Sequence, residues 1–156
     1  MGLFEKMKQL LELPDQEPDI LREVFRFERG SYHSGVLSYA IQEGSDGFWF
    51  CVKGDLTDRM KEYRFRIPEE DIRRMKEYIL PAKDWPADDR EEGVLDGYYW
   101  ILKYDFDGLK VDTSGYMRYP DNYRITTGNL QFFIEYLCVT YAPEEYDYAW
   151  EKRIEY

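Results

Sequence analysis

The sequence predicts an α+β domain: an antiparallel β-sheet of about five to six strands with helices packed on one face. Three observations lead there. Several runs alternate aromatic or β-branched residues with polar ones at period two. Two reversals, Gly44 to Gly47 and Asp107-Gly108, supply the positive-φ positions that tight hairpins need. Apolar spacing then switches to that of a helix after Pro68 and again from Leu130.

Taken in order, residues 1–18 begin with Leu3, Phe4, Met7, Leu10 and Leu11 at helical spacing, followed by a polar joint closed by Pro14 and Pro18. This N-terminal helix either docks on the domain or is an appendage that serves a partner. Val24 to Arg29 reads as a strand with Phe25 and Phe27 on one side and Arg26 and Glu28 on the other. Gly35 to Gln42 sets Leu37, Tyr39 and Ile41 opposite Val36, Ser38 and Ala40. Gly47 to Lys53 sets Phe48, Phe50 and Val52 opposite Trp49 and Cys51, and Tyr63 to Ile67 alternates again. An antiparallel meander is the expected arrangement.

Pro68 followed by Glu69, Glu70 and Asp71 is a helix start, since proline lacks only an N–H that the first turn leaves unpaired and acids favour the positive end. Ile72, Met75 and Ile79 form one face of that helix, which stops near Pro81. Ala82 to Gly93 reads as a loop. A hairpin follows: Tyr98, Trp100, Leu102 and Tyr104 face one way, Tyr99, Ile101 and Lys103 the other, and Leu109, Val111 and Thr113 return. Ser114-Gly115 and Tyr119-Pro120 bend the chain. Leu130, Phe133, Ile134, Leu137, Cys138 and Tyr141 form a full amphipathic stripe, with Thr127 or Asn129 as its cap. From Pro143, the residues Tyr146, Ala149 and Trp150 share a helical face. The helices at 68–80 and 130–141 are expected to cover one sheet face, leaving Tyr and Trp side chains on a partly open second face.

The 156 residues make one domain, long enough to bury a core without staples. The net charge of −11 disfavours nucleic acid, whose phosphates it repels, and suits a basic protein partner. Fifteen tyrosines exceed what a core can bury with every hydroxyl paired, so some line a surface or groove. The N-terminus lacks the basic and apolar regions of a secretion signal and the Ser or Thr that myristoylation prefers, where Lys6 stands. No apolar run reaches the ~18 residues of a membrane span. A cytoplasmic protein of bacterial type, without membrane contact, is the expectation.

No residue set carries catalysis or a cofactor. His33, the sole histidine, lies in a polar turn without a recognisable partner. Asp105 and Asp107 are followed by a return strand rather than by further oxygen ligands, so they read as a turn and not a calcium loop. Cys51 and Cys138 sit in apolar runs, with no Cys-x-x-Cys or Cys/His pairing for zinc. There is no P-loop, no G-x-G-x-x-G and no G-x-S-x-G elbow. Asp84, Asp88, Asp89, Glu91, Glu92 and Asp96 cluster around Trp85, a patch that suits a basic partner with Trp85 as its anchor. Tyr98, Tyr99, Trp100, Tyr104, Tyr116, Tyr119 and Tyr123 read either as sheet core or as a ligand groove. The candidate binding residues are Trp85, Asp88, Asp89, Tyr98, Trp100, Tyr116 and Tyr119.

Leu95-Asp96-Gly97, Trp100, Gly108, Ser114-Gly115, Tyr119-Pro120 and Asn122 together form LDG-x-x-W…G…SG…YP-x-N. The pattern resembles one carried by uncharacterised small proteins of Gram-positive gut and soil bacteria. The resemblance spans about a fifth of the chain and implies no activity. Small acidic proteins of this look include immunity proteins against secreted toxins, which is an analogy. The first functional expectation is therefore a non-enzymatic binding protein, regulatory or toxin-neutralising. The alternative is an enzyme or small-molecule binder with an aromatic groove on the open sheet face. A third is a subunit whose aromatic face serves self-association.

Overall fold

The computed structural model describes residues 19–31, 33–56, 59–93 and 97–152. The expected N-terminal helix, Leu3 to Leu11, its joint at 14–18, and Asp96 of the acidic cluster lie outside the described residues. The class is α+β. Four strands form the meander: β1 (Ile20–Ser31), β2 (Gly35–Gly44), β3 (Gly47–Leu56) and β4 (Arg59–Ile67). Helix α1 (Glu69–Ile79) runs into a 3₁₀ turn at Leu80–Ala82. A two-residue strand β5 (Asp89–Arg90) precedes the hairpin of β6 (Tyr99–Phe106) and β7 (Leu109–Tyr116). Helices α2 (Tyr123–Tyr141) and α3 (Tyr148–Glu151) are the last elements among the described residues.

The sheet order is β4-β3-β2-β1-β6-β7-β5. Two expectations need correction. Among the described residues the sheet has seven strands, not five to six, and it is mixed, because β5 pairs with β7 in parallel. The cause is the loop after α1. It has no alternating pattern to advertise a strand, yet it lies along the sheet edge and pairs Asp89 with Gly115 and Arg90 with Tyr116. The other pairings are antiparallel.

The turns follow their residues. Asp107 and Gly108 both take positive φ, 50° and 81°, which suits a two-residue hairpin. Asp46, in the β2–β3 turn, accepts from Trp49 Nε1 at 3.1 Å and Arg66 Nη2 at 2.6 Å.

The helices α1 and α2 cover one face. Ile72, Met75 and Ile79 of α1 and Leu130, Phe133, Ile134, Leu137 and Cys138 of α2 are buried against Phe25, Phe27, Tyr39, Phe50, Leu102 and Tyr104 of the strands. The Tyr104 hydroxyl donates to the Ile72 carbonyl at 2.7 Å, tying β6 to α1. The opposite face carries Arg26, Glu28, Ser38, Gln42, Lys53, Glu62 and Arg64, a mixed-charge surface around a concavity of about 480 Å³.

The long helix begins at Tyr123, seven residues before Leu130, and neither Thr127 nor Asn129 caps it. Its first turns hold Thr126, Thr127 and Gly128, poor helix formers that hide the start from a propensity reading. Packing overrides propensity: Tyr123, Thr126 and Thr127 are buried, and the Thr127 hydroxyl bonds back to the Tyr123 carbonyl at 2.8 Å.

Candidate functional site

The hairpin alternates as expected, but its ring-bearing side faces inward. Trp100 and Tyr104 are fully buried beneath the helices, so they do not stand on the open sheet face. The physical reason is area: Trp100, Leu102, Tyr104 and Phe106 share one side of β6, whose other side carries Tyr99, Ile101, Lys103 and Asp105, so covering the first side buries more apolar surface. Tyr99 and Tyr116, paired across β6 and β7, occupy the other face, where the Tyr99 hydroxyl donates to Glu28 at 2.8 Å.

The structure gathers Trp85, Trp100 and Tyr119 around a fourth ring, Tyr123. Trp85 meets Trp100 edge-on at 5.5 Å, and Tyr123 lies 5.2 Å from Trp100, 5.7 Å from Trp85 and 4.9 Å from Tyr119. Trp100 Nε1 donates to the Arg118 carbonyl at 2.8 Å, and Trp85 Nε1 to Asn122 Oδ1 at 2.8 Å. Two other candidates sit beside this cluster, not in it. Tyr98 shares a hydrogen bond with Ser34 at 2.8 Å, and the Tyr116 hydroxyl accepts from the Gly97 amide at 2.9 Å. Asp88 and Asp89 belong to the edge loop. Thr113 donates to the Pro86 carbonyl, and Ser114 to the Ala87 carbonyl at 2.9 Å, so the acids are displayed from a pinned backbone. Arg118 pairs with Glu91 at 2.9 Å.

A cleft of about 560 Å³ opens where the ring cluster meets the start of α2. That volume lies within the usual range for small-ligand sites. Its walls include Arg29 from β1, Tyr119, and Tyr123, Arg124 and Gln131 at the beginning of α2; Glu151 and Lys152 close it from the C-terminal segment. Arg29 stands beside Trp100 on the covered face, with its guanidinium 4.6 Å from the Phe27 ring centroid.

Behind the cleft runs a buried polar chain. Arg29 Nη2 donates to Gln131 Oε1 at 2.8 Å; Gln131 Nε2 donates to the Tyr39 hydroxyl at 3.1 Å; Tyr39 donates to Glu151 Oε1 at 3.0 Å. The second Glu151 oxygen accepts from Tyr63 at 2.8 Å. Burial pushes the Glu151 carboxyl above its ordinary value, while the two phenols pull the other way. Burial likewise raises Tyr39, the neighbouring Glu151 charge adding to it.

One group in the wall stays unsatisfied. Tyr123 is 6% exposed, and its hydroxyl has no hydrogen-bond partner among the described residues. Burial raises its pKa, and the charge that opposes this is Arg29. Among the described residues no three His, Cys, Asp or Glu side chains converge to hold a metal ion. No helix among them is long and apolar enough to cross a membrane. No protein-family model matches the chain, and neither does any curated protein.

The sequence reading had Tyr119 and Tyr123 in its aromatic set but missed Arg29, Arg124, Gln131, Glu151 and Lys152. They come from three separated segments and form no motif. One signal was available: Arg29 follows Phe25 and Phe27 at period two, so it is a charge on the core-facing side of a strand.

Proposed function

We propose that the protein is a binding protein whose recognition site is the cleft beside the start of α2, and that its ligand is a small molecule with a ring and an anionic group. One observation carries this: a buried phenol without a partner, Tyr123, in the wall of a ligand-sized cleft beside Arg29. A buried hydroxyl left unpaired costs about 1–3 kcal/mol, which a ligand acceptor removes. Three cations, Arg29, Arg124 and Lys152, line the cleft against two acids, Asp121 and Glu151; Glu151 has both oxygens turned to tyrosines, and Lys152 also pairs with Glu135 at 3.0 Å. Tyr119, partly exposed, offers a ring face for stacking.

Calorimetric titration with benzoate, phenyl phosphate and inorganic phosphate tests this. Benzoate or phenyl phosphate is expected to bind more tightly than phosphate alone, and Tyr123→Phe and Arg124→Ala to weaken that binding. Absence of binding by both ring-bearing probes at millimolar concentration sinks it.

A second reading has its own support in the pinned acidic loop. Asp84, Asp88 and Asp89 are held on a backbone anchored by Trp85, Thr113 and Ser114, and fixed charges recognise a partner better than mobile ones. Such a partner is a basic protein, as in immunity-type neutralisation of a toxin, and its capture should weaken steeply with salt. A cytoplasmic location fits two free thiols, which reducing compartments preserve.

A further inference from the structure

Of the two acids in the cleft wall, Asp121 is exposed to water and Glu151 is withdrawn from it, 1% exposed. Glu151 accepts from the Tyr39 hydroxyl of β2 at 3.0 Å, from the Tyr63 hydroxyl of β4 at 2.8 Å and from the Asp147 amide of its own segment at 3.4 Å. No Lys or Arg side chain pairs with it among the described residues. The charges that face it are engaged elsewhere. Lys61 of β4 donates to the Glu145 carbonyl and stands 5.4 Å from the Tyr63 ring centroid. Glu135 of α2 holds Lys152 and the Tyr146 hydroxyl, each at 3.0 Å. Asp147 pairs with Arg59 at 3.0 Å. Arg29 of β1 reaches Glu151 only through Gln131 and Tyr39. A buried carboxylate served by phenols alone lies in a wall where a second negative charge is costly.

We propose that the cleft takes up its anionic ligand together with a proton, and that Glu151 is the group that receives the proton. This rests on the reading of the cleft as a site for a ring-bearing anion. Such a ligand brings a like charge beside Glu151 in a site of low dielectric, and a proton on the carboxylate removes that repulsion. The hydrogen bonds accommodate the change. The proton comes from solvent and lands on Oε2, which then donates to the Tyr63 oxygen. The Tyr63 hydroxyl, also in hydrogen-bond contact with Cys138, turns its own proton to that sulfur. Tyr39 keeps its bond to Oε1 and still accepts from Gln131. The protonated form therefore strands no polar group.

Burial already holds the Glu151 carboxyl above its ordinary value, so a further push from a bound anion brings it toward neutral pH. The phenols of the wall do not compete for this role. Burial raises Tyr119 and Tyr123 above the ordinary tyrosine value, so both stay protonated in that range. Linkage is reciprocal: if the anion strengthens proton binding at Glu151, the proton strengthens anion binding by the same factor. Affinity therefore rises as pH falls through the liganded Glu151 value and declines as pH rises through it.

Calorimetric titration of the full chain between about pH 5.5 and about pH 8 tests this, with benzoate and benzenesulfonate as probes that stay ionised throughout. Running each titration in two buffers of different ionisation heat counts the protons taken up per ligand. A net uptake of up to one proton is expected, with the dissociation constant rising at least ~5-fold across the range. Glu151→Gln should abolish the uptake, flatten the pH dependence and bind at pH 8 as the parent does at low pH. Thermal unfolding shows whether that variant is folded; if it is not, the two-buffer comparison on the parent decides alone. Binding without proton uptake, or uptake that survives in folded Glu151→Gln, overturns the proposal and leaves the cleft as an anion site. Failure of both probes to bind at any pH removes the proposal together with the reading it rests on.

Discussion

Trp100 and Gly115 face each other across the β6–β7 ladder, and a β-carbon at 115 would be driven into the indole ring. The glycine is thus the floor on which the Trp100 ring of the aromatic cluster rests. Gly54 and Trp150 repeat the relationship at β3, where the second indole would meet any β-carbon in the same way. Gly115→Ala is expected to destabilise the fold by about 1–3 kcal/mol through overpacking. In urea unfolding the midpoint should fall with little change in slope.

Tyr123 and Tyr39 are both buried phenols, and their deletions should diverge. Tyr123→Phe removes a hydroxyl that has no partner, so stability should stay within about 0.5 kcal/mol or rise. Tyr39→Phe strands Glu151 and Gln131, and should cost about 1–3 kcal/mol. Thermal unfolding of the two variants side by side measures the difference. Equal losses would mean that the Tyr123 hydroxyl is satisfied in solution.

Glu151 gives stability an unusual pH slope. Burial holds its carboxyl above the ordinary value in the folded chain, so the folded state binds that proton more tightly than the unfolded state. Its contribution therefore grows as pH falls through the raised value and is complete below the ordinary glutamate value of 4.5; it declines as pH rises. Glu151→Gln removes the titration. The variant should gain on the parent as pH rises above the ordinary glutamate value, read in denaturant unfolding at several pH values. A difference that does not change with pH counts against a raised Glu151.

The two thiols should be quiet in the folded chain. Burial pushes Cys51 up to about 11 and Cys138 up to about 12, so neither is a thiolate near neutral pH. Ellman's reagent at pH 8 should react slowly with the native protein and rapidly with both thiols in urea. Fast reaction of Cys138 before unfolding would show that α2 opens locally.

Much of the architecture was legible in advance because it rests on local rules. The alternation of Phe25 and Phe27, or of Phe48, Phe50 and Val52, has one solution once a face is buried. Asp107-Gly108 and Gly47, at a φ of 129°, carry their turns in their own φ preferences, whereas Gly44 stays out of the positive-φ region. Where local rules were silent or misleading, the reading erred. The pair Ser114-Gly115 reads as a bend, but β7 runs on through it to Tyr116, because Gly115 serves a ring on the neighbouring strand and not a turn. The start of α2 went unseen because buried threonines overcame their own propensity.

By itself, the sequence determined the class, the hairpins, the helix-bearing segments and an excess of tyrosine that required partners. Those properties follow from the period of side chains along a strand or helix, which depends only on neighbours in the chain. Which face of β6 is covered, where Arg29, Tyr123 and Glu151 meet, and which side of α2 stays bare were decided by tertiary packing. Such juxtapositions join residues from separate elements, Arg29 and Glu151 lying 122 positions apart, and no local spacing records them; they exist only once apolar area on several elements is buried together.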